Sequence, residues 1–158
     1  ASEDNTVIRI TGMPPITLAK AGEATNVTLP SDQYKMIKSD KPVLVTQFVQ
    51  SEQDPHEPAD PSMMILPPYE LFGSDYTFTT PEYSRPDFGN DARFRYENLF
   101  MLVADTSEKD GLLLDGKPLP KNLVWHSISG TSLSGTNFQV PHGTHTVRHT
   151  NSLSIFGG

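Results

Sequence analysis

The chain contains no cysteine. Disulfides, zinc–thiolate sites and cysteine nucleophiles are therefore excluded together. The absence leans weakly towards a reducing compartment, because small secreted domains often rely on disulfides. At 158 residues, however, one domain buries enough apolar surface to fold without them. Long apolar runs are also missing, and none approaches the roughly 20 residues of a membrane span. Lysine and arginine do not cluster: 12 basic residues stand against 19 acidic ones, giving a net charge of −7. Such a chain is a poor match for nucleic acid or an anionic membrane. No segment holds a helical period beyond one turn.

What is present is punctuation. Fourteen Pro and eleven Gly favour short strands over long helices. Residues 6–11 (TVIRIT) alternate as a strand. Residues 16–18 and 24–29 read as a hairpin joined through Lys20-Ala21-Gly22, and 34–38 as an edge strand. Residues 43–49 are dense enough in β-branched and aromatic side chains to predict burial on both faces. Residues 62–66 (SMMIL) predict a short buried strand, and 75–80 a strand with one aromatic face. Residues 98–104 (NLFMLVA) predict a central strand. Residues 112–114 enter Asp115-Gly116, a favoured hairpin dipeptide. Residues 123–129, 138–140, 144–149 and 152–156 complete the series. Strand signals about every ten residues predict a single all-β domain over 1–158, an antiparallel β-sandwich of jelly-roll-like form with little helix.

Several stretches carry a family resemblance in order: TVIRITG, Ala21-Gly22-Glu23, KSDKPVLVTQF, DPSMMILPPYELFGSDYTFTTP, GLLLDG, then Trp125, Ile128 and Gly130, then GTHTV and a final Phe156-Gly157. Together they are similar to the N-terminal domain of the IgG Fc-binding protein family, found in secreted mucus and matrix proteins. The resemblance is to the C-terminal part of that domain. It implies either a processed chain or one part of a two-part unit, and hence a companion chain or homo-oligomer as partner. The start at Ala1 fits a mature chain whose address has been removed. A secreted setting also suits the sequon at Asn26-Val27-Thr28, which makes Asn26 a glycosylation candidate. No short Fc-binding motif is identifiable, so immunoglobulin binding does not follow from the resemblance.

Candidate chemistry is sparse. His142, His145 and His149 stand close in HGTHTVRH, and imidazoles at short spacing ligate transition metals. On a strand, His145 and His149 lie roughly 13 Å apart, so only His142 and His145 suit one ion. The competing reading is a turn followed by a strand with outward polar positions. Asp54, Glu57 and Asp60 crowd one loop and Asp105, Glu108 and Asp110 another; calcium uses such oxygens, as do solvated turns. Residues 130–134 (GTSLS) miss the nucleophile-elbow pattern, because Ser134 stands where its second glycine belongs. Trp125 reads as core. The polar segment 82–97 offers Tyr83, Arg85, Asp87, Asn90, Asp91, Arg93 and Tyr96. Sugar sites need an aromatic face and planar hydrogen-bonding groups, and this segment supplies both.

The reading is a secreted, non-enzymatic recognition or adhesion module, lectin-like, taking a glycan or glycoprotein ligand and no cofactor. One alternative is a structural assembly module of mucus or matrix. A second is a metal-dependent enzyme built on the C-terminal histidines.

Overall fold

The computed structural model describes residues 1–30, 33–49, 62–82, 98–152 and 154–157. Thirteen strands arise among them, all paired antiparallel, with short 3₁₀ turns at Tyr69–Leu71 and Lys109–Gly111. In chain order the strands are β1 (Thr6–Ile10), β2 (Ile16–Leu18), β3 (Ile37–Ser39), β4 (Thr46–Val49), β5 (Ser62–Ile65), β6 (Asp75–Thr80) and β7 (Asn98–Asp105). There follow β8 (Leu112–Leu114), β9 (Lys117–Pro118), β10 (His126–Ser127), β11 (Leu133–Val140), β12 (Gly143–His149) and β13 (Phe156–Gly157). The all-β class follows from the sequence pattern, in which turn residues interrupt every short apolar run.

Two four-stranded sheets form the body, ordered β10-β11-β7-β13 and β6-β12-β8-β9. Their facing sides hold the core. Leu102 and Ala104 of β7 meet Leu112 of β8, Val147 of β12 and Phe156 of β13, all almost fully buried. Phe78 of β6 stacks on Phe100 of β7, centroids 4.4 Å apart and nearly parallel, so the aromatic row of one sheet lies on the other. Trp125 packs at the margin of this core, as its sequence neighbours predict. The β8–β9 hairpin turns at Asp115-Gly116, both with positive φ (50° and 75°), the geometry that a two-residue turn requires.

Tyr76 ties the two sheets together. Its hydroxyl donates to the Phe156 carbonyl (2.9 Å) and accepts from the Gly73 amide (2.7 Å), while its ring meets Phe156 edge-on. Tyr76→Phe keeps the ring and removes both bonds. It is expected to lower unfolding free energy by about 1–2 kcal/mol in denaturant titration, the range for lost part-buried hydrogen bonds.

Three expectations need correction. Residues 24–29 form no strand; β2 pairs with β1, whose other edge takes β3, because Thr6–Ile10 offers both edges to short neighbours. β11 starts at Leu133, well before the predicted 138, since the small polar residues Ser134 and Thr136 face inward and find partners there. The Ser134 hydroxyl meets that of Thr106 at 2.7 Å, and Thr136 Oγ1 donates to the Val124 carbonyl at 2.8 Å. The third concerns β4 and β5. They pair only with each other among the described strands. With no second sheet laid over them among the described residues, neither is buried: Phe48, Met63 and Ile65 are 63%, 60% and 59% exposed.

Candidate functional site

Residues 83–97 lie outside the described residues, and with them Tyr83, Arg85, Asp87, Asn90, Asp91, Arg93 and Tyr96. The structure does fix where the flanking residues stand. Thr80, ending β6, pairs with Gly143, and Asn98, starting β7, pairs with Val140. Asn98 Nδ2 donates to the Pro81 carbonyl at 3.2 Å, and Thr80 Oγ1 donates to the Pro141 carbonyl at 2.7 Å. Both flanks therefore meet the β11–β12 turn, where His142 is exposed.

The histidines of β12 depart from the outward positions expected of them. His145 is buried, and both ring nitrogens face acceptors. Nδ1 lies 2.8 Å from Asp115 Oδ2 and Nε2 lies 2.9 Å from the Pro141 carbonyl. A carbonyl and a carboxylate each require an N–H, so the imidazole is held with a proton on both nitrogens. The Asp115 hydrogen bond, with that to Pro141, raises its pKa above the usual 6.5. Reciprocally, the His145 bond and then the Thr146 amide lower the Asp115 carboxyl below 3.8. His149 is equally committed at the far end of the strand. It donates from Nε2 to the Glu108 carbonyl (2.7 Å) and accepts at Nδ1 from the Asn151 amide (2.9 Å). The period-two pattern placed these residues on one face; which face was decided by buried acceptors that no local pattern reveals.

Both ring nitrogens of His145 are engaged by Asp115 and Pro141, so neither is turned to an ion shared with His142. Among the described residues, no group of three or more His, Asp or Glu stands where it could hold a metal. Asp105, Glu108 and Asp110 do not converge. Asp105 Oδ1 accepts from the Ser107 amide and hydroxyl, and Glu108 Oε2 accepts from the Ser154 hydroxyl. Asp54, Glu57 and Asp60 lie outside the described residues. Ser134 is buried against Thr106, so it is no exposed nucleophile. Asn26 is exposed and outside any strand, open to a glycan.

The sequence reading missed one concave place. A groove of about 200 Å³ is lined by Met36, Lys38, Tyr69 and the turn Gly130–Leu133. β3, the 3₁₀ turn at Tyr69–Leu71 and the turn leading into β11 form it, and residues next to two of these make unusual contacts. Tyr34 lies on Gly135: a Cβ there would come within 2.3 Å of the ring. Phe72 lies on Gly157 in the same way, at 2.2 Å. Gly135 and Gly157 both pair with Val103, so the two rings occupy slots in one row across the sheet. Tyr34 also stacks on His126 at 5.7 Å, and burial raises its phenol pKa.

These rings pin the groove walls. Tyr69 leans on Phe72 at 5.2 Å and leaves its own ring 48% exposed. Thr131 is spent on the turn, donating to the Ile128 carbonyl and accepting from the Leu133 amide. The recognition groups left are the Tyr69 ring and the exposed Lys38 ammonium. An aromatic side chain and a cation thus line one groove. Three segments far apart in sequence make the groove, so no motif could announce it.

No helix among the described residues is long and apolar enough to cross a membrane. A family model described as IgGFc binding protein matches residues 1–157. No curated protein and no solved structure matches the chain.

Proposed function

Because the chain belongs to the IgGFc binding protein family, we propose that it is an extracellular binding module that catalyses nothing and takes glycans or glycoproteins as ligands. The observation that carries the binding class is the family match over residues 1–157. The glycan preference is supported by the groove at Tyr69 and Lys38, which a half-exposed tyrosine and an exposed lysine both line. The non-enzymatic reading is supported by the engagement of His145 and His149 in structural hydrogen bonds.

A glycan array carrying neutral, sialylated and sulfated sugars tests the reading. Binding is expected to favour the acidic sugars. Tyr69→Ala and Lys38→Ala should each weaken it at least tenfold, about 1.4 kcal/mol. Silence towards every sugar and mucin would remove the glycan version while leaving a protein ligand open.

One observation favours a second reading, assembly with another chain. The β4–β5 hairpin offers solvent an apolar face of a kind that isolated domains usually cover.

A further inference from the structure

The register of the β4–β5 hairpin sets Phe48 directly opposite Met63 and Thr46 opposite Ile65. Period-two alternation puts all four on one face. Leu44, two residues before Thr46, continues that alternation, and the ladder reaches it through the Leu66 amide bound to the Val45 carbonyl at 3.0 Å. Leu44, Phe48, Met63 and Ile65 are all between 59% and 71% exposed. The hairpin thus turns its most apolar face outward, and each of its strands keeps a free edge among the described strands. Neither strand carries the lysine, proline or inward charge that blunts an exposed edge.

From this we infer that the Phe48–Met63 face is the contact between two copies of this chain, related by a two-fold axis. The inference rests on the assembly reading above. Two features select a second copy as occupant. The first is charge. Residues 44–49 and 62–66 include no Asp, Glu, Lys, Arg or His, in a chain of net charge −7. Two acidic copies repel each other across most surfaces; the two strands of this face bring no like charges together. The second is chemistry. A two-fold axis through the face sets Phe48 of each copy against Met63 of the other, and thioether–aromatic contacts are favourable. The patch is therefore complementary to itself. Four such side chains per copy cover on the order of 1,000 Å² in total, the size of a weak, reversible interface.

Sedimentation velocity of the purified chain, from roughly 1 μM to roughly 1 mM, tests this. A reversible monomer–dimer equilibrium is expected, unweakened by added salt. Phe48→Lys and Met63→Lys should each raise the dissociation constant at least tenfold with the β-sheet circular dichroism retained. If either fails to fold, Ile65→Lys takes its place. A monomer at every concentration, a dimer dissolved by salt, or a dimer indifferent to these lysines would overturn the inference. A photoreactive group at position 63 separates the two failures. Cross-linking to an added mucin or matrix protein by a chain that never dimerises refutes the second copy and spares assembly. A chain that neither dimerises nor cross-links refutes both.

Discussion

Gly135→Val is expected to be severely damaging, lowering unfolding free energy by about 4 kcal/mol, with Gly135→Ala costing about half of that. The cause is steric. Gly135 pairs with both Val103 and His126, so its backbone is fixed on two sides. A Cβ would lie 2.3 Å from Tyr34 Cδ1 and 2.4 Å from Cε1. The ring cannot swing away at little cost, because it is stacked on His126. Either the ring leaves its slot or β11 shifts against β7. A double-mutant cycle identifies which contact is responsible. With Tyr34→Ala in the background, Gly135→Ala should cost almost nothing further, a strongly non-additive result. Tyr34→Phe is the control. The Tyr34 hydroxyl is buried without a hydrogen-bond partner, so losing it should be neutral or mildly stabilising. Additive costs in the cycle would refute the slot.

The second large effect concerns His145. Its replacement by alanine is expected to cost about 3 kcal/mol at pH 6, because Pro141 loses a donor, Asp115 loses its partner and a buried ring leaves a void. The pH dependence distinguishes this from plain packing. The pKa of His145 is raised in the folded state, so its stabilisation is complete below the unfolded value of 6.5 and is lost as pH rises through the folded one. The pKa of Asp115 is lowered, so its stabilisation is present above 3.8 and is lost as pH falls through the folded value. The pair contributes fully between about pH 4 and 6.5. The charged groups bearing on the ring are Asp115 and, through it, Lys117. Unfolding titrations of wild type and His145→Gln should therefore differ most in that window and converge at higher pH. A gap that stays constant up to pH 9 would show that the ring acts by packing alone.

Much of the sandwich was legible because local chemistry and tertiary demand agree. Tyr76 and Phe78 alternate with exposed residues and do face the core. The run from Leu99 to Ala104 is apolar on both faces and does lie inside its sheet. Asp115-Gly116 turns where its dipeptide predicts. The failures have physical causes. Ser134, Gly135 and Thr136 look like a loop because their burial depends on partners contributed by Thr106, Tyr34 and Val124. The density of residues 43–49 looks like a core strand because hydrophobicity records a wish to be covered without saying by what. The groove at Tyr69 and Lys38 has no local signature at all, and the family resemblance concerned turns and strands, which position a site without naming its ligand.

Phe156 is the last large side chain of the core. It is 1% exposed, pairs with Ala104 and exchanges two hydrogen bonds with Gly73. A ribosome delivers it after every other strand of the two sheets. Until residue 156 clears the exit tunnel, β7 has a bare flank and the Tyr76 hydroxyl lacks its short bond to the Phe156 carbonyl. The second flank of β7 and the short Tyr76 bond therefore both wait on residue 156.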